Sequence, residues 1–188
     1  MDNTEHLLKL KNKLKKLDKK NIDLIISDFD DTIFCRNEQL EDCILLKENR
    51  WILWNEVILN KLGLENYWKK YYKNKKIPKN IVNKLREWHD LILTAWYKIL
   101  QECKLKNTWL DKHNYIIVDS PEKKIIESIK YITNTLWFIP NKLTIYEDRP
   151  KYFIEYRQLL EDILWIPIEI MYVKMKDNYT EPKITKID

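Results

Sequence analysis

Glycine is nearly absent: the 188-residue chain has one, Gly63. Average usage is roughly 7%, which would give about 13 in a chain of this length. Cysteine is scarce as well. Cys35, Cys43 and Cys103 are odd in number and lack metal-ligand spacing. That argues against a disulfide framework and for a reduced, cytoplasmic protein. No apolar run approaches the length of a membrane span, so no membrane partner is expected. The first residues, Met1-Asp2-Asn3-Thr4-Glu5-His6, do not read as a signal peptide. His6, His89 and His113 show no ligand spacing and receive no role.

What is present is enough for a core. The chain is 45% hydrophobic and 34% charged, with net charge +5. Its length suits one domain, or a core domain with a small insertion. The mild basicity suits an anionic substrate without establishing one. The abnormal count is tryptophan, at eight. Several tryptophans stand where glycine is expected. Trp137 follows a helical run and precedes Phe138-Ile139-Pro140, at a helix C-terminal position. Trp165 lies between a helix and a strand, and Trp96 follows a short strand that ends in a hydroxyl. Two explanations stand side by side. Some or all tryptophans are UGA codons that the source organism reads as glycine, or the protein is simply tryptophan-rich. UGG codons at Trp96 and Trp137 would end the first.

The chain is organised around Leu24-Ile25-Ile26-Ser27-Asp28-Phe29-Asp30-Asp31-Thr32-Ile33. Leu24 to Ile26 read as a short buried strand, β-branched and without a polar face. Open α/β sheets bind ligands at the carboxyl ends of such strands. Asp28 and Asp30 are two apart, so an extended chain puts both side chains on one side. Two desolvated carboxylates repel each other. A cation between them makes the arrangement sensible, and magnesium takes carboxylate oxygens together with substrate phosphate. The plainer alternative is a strand followed by an acidic turn or helix cap.

Asp-Phe-Asp-Asp-Thr-Ile after a hydrophobic strand resembles the first motif of the haloacid dehalogenase-like (HAD) phosphatases. The resemblance implies that Asp28 is the nucleophile, forming an aspartyl-phosphate. It implies that Asp30 is the general acid/base.

Around that motif the pattern is as follows. Residues 1–22 read as a basic amphipathic helix, with Leu7, Leu10, Leu14 and Leu17 at helical spacing. Residues 36–76 carry helical patterns: Leu40, Ile44 and Leu45, then Trp51, Ile52, Val57, Ile58 and Leu62, with Gly63 ending that helix. Tyr67-Trp68-Lys69-Lys70-Tyr71-Tyr72-Lys73-Asn74-Lys75-Lys76 interleaves aromatic and basic residues. Such a surface can stack bases and neutralise phosphates, or its rings can pack inward on a solvated helix end. In HAD-like enzymes an insertion here is a helical cap, which 36–76 resembles.

Pro78 is expected to start a helix with Ile81, Leu85 and Trp88 on one face. Leu91-Ile92-Leu93-Thr94-Ala95-Trp96 resembles the second HAD motif, with Thr94 implied to bond a phosphoryl oxygen. Tyr115-Ile116-Ile117-Val118-Asp119-Ser120 reads as strand three, and Ser120-Pro121 begins a helix with Ile125, Ile129 and Ile132 inside. The third motif is a lysine near such a helix start: Lys124, or else Lys123. Lys142 is too close to the next acids to serve. Strand four ends in Glu147-Asp148-Arg149, resembling the fourth motif. Asp148 is implied to bind magnesium and Glu147 to support it. This Glu-Asp-Arg version is similar to that of polynucleotide-end-repair and RNA-repair-like phosphatases. Residues 151–163 read as a helix, Ile166 to Val173 as a last strand, and 176–188 as a poorly packed tail.

Alternating strands and helices predict a three-layer α/β fold with a parallel sheet. The resemblance implies a Rossmann-like HAD core at 23–35 and 77–175, five parallel strands in the order 5-4-1-2-3, and a cap at 36–76. It implies a magnesium-dependent phosphatase whose metal residues are Asp28, Asp30 (through its backbone carbonyl), Asp148 and Glu147. The substrate would be a small phosphomonoester or an RNA or DNA end. The competing expectation is a non-catalytic nucleic-acid-binding protein on a decayed scaffold of the same kind.

Overall fold

A computed structural model describes residues 3–34, 59–73, 77–175 and 181–187. Residues 36–58 and 74–76 of the expected cap, together with Cys35 and Cys43, lie outside them. The described residues form an α/β fold around one sheet. The strands are β1 Leu24–Ser27, β2 Leu91–Ala95, β3 Asn114–Val118, β4 Leu143–Glu147, β5 Ile168–Lys174 and β6 Lys183–Ile187. Their order is β3-β2-β1-β4-β5-β6. The first five are parallel, and β6 runs antiparallel to β5.

The sheet is therefore six-stranded and mixed, not five-stranded and parallel. The sixth strand comes from the stretch expected to be a loose tail. Lys183 to Ile187 pair with Lys174 back to Ile170. An unpaired β5 would be an open edge. Ile184 and Ile187 pack against the two cores from this strand. Its lysines then face outward at the new edge, where charge discourages further pairing.

Alternation along the strands feeds two cores. Leu24, Ile26, Leu91, Leu93, Leu143 and Ile145 point to one face. That face is covered by α1 Asn3–Leu14, α5 Lys123–Tyr131 and α7 Arg157–Leu164. The basic helix expected over 1–22 ends at Leu14, and Leu10 and Leu14 are buried there, so α1 belongs to the core layer. The other face takes Ile92 and Tyr146 with Phe29 and Phe34. Over it lie α2 Leu64–Tyr71, α3 Lys79–Val82 and α4 Lys98–Asn107. A short helix α6, Lys151–Glu155, precedes α7, and a π-helical turn Ile132–Leu136 extends α5. This is a strand layer between two helical layers, and β2 is buried along its whole length.

Two further local expectations change. The helix after Pro78 stops at Val82, and Trp88 is exposed, not packed beside Ile81 and Leu85. The turn closes early because Asp90 accepts from the Arg86 backbone N–H and from its Nε. In the aromatic-basic stretch, Tyr67, Tyr71 and Tyr72 are buried. Phe34 lies 5.2 Å from Tyr72 and 5.3 Å from Phe29, ring centre to ring centre. These tyrosine rings belong to the core, so they offer no stacking surface.

The backbone enters the left-handed region at few places. Among the described residues these are Gly63 (φ 74°), Asp31 (φ 58°), Trp96 (φ 72°), Trp109 (φ 59°), Trp137 (φ 60°) and Trp165 (φ 54°). Gly63 closes the turn that its N–H makes with the Leu59 carbonyl, at 2.8 Å. Asp31 has a short polar side chain of the kind that tolerates this region. The four tryptophans do not, and each costs about 1–2 kcal/mol there. Four such residues amount to a sizeable share of a typical net stability of about 5–15 kcal/mol.

Candidate active site

The carboxyl ends of β1, β2 and β4 converge on a cavity of about 380 Å³. Asp28, Asp30, Thr94, Lys124, Glu147 and Asp148 line it. β1 and β4 are paired through Ser27 and Tyr146, and Asp28 N–H extends the ladder to the Tyr146 carbonyl at 2.8 Å. That register sets Asp28 beside Glu147. β2 lies on the other side of β1 and brings Thr94, which is buried.

Lys124 comes from the first turn of α5, whose apolar face (Ile125, Ile129) is sunk in the core. One residue of rotation separates Lys124 from Lys123. Lys124 turns inward and is buried. Lys123 turns outward to pair with the exposed Asp119. Lys124 Nζ reaches Asp28 Oδ1 at 2.8 Å and Glu147 Oε2 at 2.7 Å. Lys142 precedes β4 at the opposite end of the sheet and pairs with Glu169 at 3.1 Å.

The charges do not balance locally. Asp28, Glu147 and Asp148 each offer an oxygen within 4.8 Å of the others, against one buried ammonium between Asp28 and Glu147 and the exposed Arg149 at 3.5 Å from Asp148. Burial would depress Lys124, but Asp28 and Glu147 on either side push it above its usual range. Burial and then the Asp28 charge raise Glu147 well above the carboxylate range, against the pull of Lys124. Burial and Asp28 push Asp148 up to about 7. Acids forced upward by one another are what excess buried negative charge produces. The donors are all oxygens, the set that suits a hard divalent cation. The residues therefore fit a cation of that kind.

Asp30 lines the cavity, but its carboxylate is held from the side. Lys104 Nζ lies 2.9 and 3.2 Å from its two oxygens, and Gln101 Nε2 donates to it at 2.7 Å. Both partners come from α4, three residues apart on one face, and both are buried. Sequence reasoning missed them. Their only signal was that helical spacing, shared by several other lysines of the chain.

No family model, curated protein or solved structure matches this chain. Among the described residues, no helix is long and apolar enough to cross a membrane.

Proposed function

We propose that this chain is a magnesium-dependent phosphomonoester hydrolase on a HAD-like core, working through an aspartyl-phosphate on Asp28. The observation that carries the reading is the meeting of Asp28, Lys124 and Glu147 at one strand-end cavity, with Asp148 and Thr94 beside them. A lone acidic turn after β1 gives no reason for a buried lysine and two further acids to converge there.

Asp28, Asp148, Glu147 and the Asp30 carbonyl would hold magnesium, which when bound neutralises charge on the phosphate. In the first step an Asp28 carboxylate oxygen attacks phosphorus in line. The bond from phosphorus to the leaving oxygen breaks, and Asp30 gives that oxygen its proton. Lys124 and the Thr94 hydroxyl bind the remaining phosphoryl oxygens as they gather charge. In the second step Asp30 takes a proton from water. The water oxygen attacks phosphorus, the bond to Asp28 breaks, and inorganic phosphate leaves with the Asp28 carboxylate restored.

Burial of Tyr67, Tyr71 and Tyr72 removes the stacking argument for a nucleic-acid end. A small phosphomonoester is therefore the favoured substrate class. The test is phosphate release from an aryl phosphate and from a 3′-phosphorylated oligonucleotide, with magnesium or with EDTA, beside Asp28→Asn. Magnesium-dependent release that falls by on the order of 10⁴-fold in Asp28→Asn is expected. Release that persists undiminished in that variant would overturn the mechanism.

A further inference from the structure

Six tryptophans lie among the described residues, and four of them have left-handed backbone. Bulky side chains rarely adopt that region, whereas glycine enters it freely. The four are also exposed: Trp96 45%, Trp109 80%, Trp137 71% and Trp165 48%. Their indoles belong to neither apolar core, so core packing gives no return for the conformation.

Three of the four close helices in the ways that glycine usually does. At the end of α4, Trp109 N–H bonds the Lys106 carbonyl at 3.2 Å, and Leu110 N–H bonds that of Leu105 at 3.0 Å. This pair of bonds is a Schellman motif, with Trp109 in the position where glycine dominates. After α7, Trp165 N–H returns to the Glu161 carbonyl at 2.8 Å, the simpler left-handed closure. After the π-helical turn, Trp137 N–H returns to the Ile132 carbonyl at 3.2 Å. The fourth, Trp96, sits in the turn between β2 and α4 and lines the cavity beside Thr94. Trp68, by contrast, lies within α2, half-buried against the Phe34 ring at 6.3 Å. It behaves as an aromatic residue should.

We infer that positions 96, 109, 137 and 165 carry glycine in the protein as its own cell makes it, through UGA codons decoded as glycine. The backbone was selected for a residue without Cβ at these four places. At position 96 the consequence reaches the site, because glycine removes an indole from the cavity wall.

The decisive test reads the four codons and the masses of the corresponding peptides from the source cells. UGA codons and glycine-mass peptides are expected. UGG codons, or tryptophan in those peptides, would overturn the inference. The physical premise is tested separately with the triple variant Trp109→Gly/Trp137→Gly/Trp165→Gly, the matching triple alanine variant, and Trp88→Gly. Trp88 is 65% exposed without left-handed backbone, so it controls for simple removal of a surface indole. The glycine triple should raise Tm by on the order of 10 °C. Alanine keeps the Cβ that causes the strain and should gain clearly less, and Trp88→Gly should not gain. Equal gains from glycine and alanine would refute the backbone argument.

Discussion

Asp90, before the amino end of β2, and Asp28, after the carboxyl end of β1, are both buried acids beside a cation, yet they are committed to different degrees. Asp90 Oδ1 accepts from Ile25 N–H at 2.8 Å and from Arg86 at 3.1 Å. Its Oδ2 accepts from the Arg86 backbone N–H at 2.8 Å and from Nε at 2.9 Å. Arg86 also donates to the Asp23 carbonyl, and Tyr131 donates to that of His89. One acid and one arginine close the amino end, and both acid oxygens are satisfied. At the carboxyl end Lys124 serves both Asp28 and Glu147, and the third acid, Asp148, has the exposed Arg149 at 3.5 Å. A buried acid with its full set of partners fastens β1 to the turn before β2. A surplus of buried acids is an electrostatic cost that a bound cation would relieve.

The two ends should also respond oppositely to pH. Burial holds His89 below its usual 6.5, so the folded protein keeps it neutral where the unfolded chain would protonate it. Stability from that group is complete above 6.5 and is lost as pH falls through its folded value. Asp148 is raised from 3.8 to about 7, so the folded protein retains a proton that the unfolded chain has released. Without a cation, stability there falls as pH rises between those values.

Removing one acid from each end should separate the two most strongly. Asp90→Ala strands the Ile25 and Arg86 donors and should lower stability by about 3 kcal/mol in denaturant melts. Asp148→Asn relieves surplus charge, so near pH 8 without magnesium it should raise stability by about 1 kcal/mol. The same change should impair magnesium-dependent turnover. If both variants destabilise alike, the two ends are not different in kind. A smaller effect sharpens the contrast: the Tm gained on adding magnesium should be greater by a few degrees near pH 8 than near pH 5.5. Binding displaces the retained proton only below neutrality, so a gain independent of pH would remove Asp148 from the proposed cation site. Smallest of all, Lys123→Ala should leave Tm and phosphate release where they are, because its partner Asp119 is fully in solvent. A clear loss would mean that the wrong lysine has been placed in the site.

The parts legible in the sequence were those set by chain-local rules. A strand buried on both faces ends where polar residues begin, so the switch from apolar to polar residues alone puts Asp28, Thr94 and Glu147-Asp148 at strand ends. Helix stripes located α5 and the run of α6 and α7 to within a few residues. What was not legible depended on partners far along the chain. The inward rotation of Lys124 is fixed by Ile125 and Ile129 sinking into the core. The Lys104 to Asp30 pairing spans 74 residues and depends on how α4 lies against β3 and the end of β2. Lys183 to Ile187 carry a strand pattern too brief to distinguish from a tail until the open edge of β5 is there to receive it.

The alternating architecture, the acids at the strand ends, and the near-absence of glycine where glycine is needed were all present in the residue order. These follow from periodicity and from backbone preferences that act over a few residues. Long-range packing chose which lysine enters the site and which cation grips Asp30. It also decided that the tyrosines beside Lys69 and Lys70 turn inward, and which tryptophans sit on left-handed backbone. Each of these is a choice among chemically similar residues, made by helix rotation and by the register of strands distant in sequence.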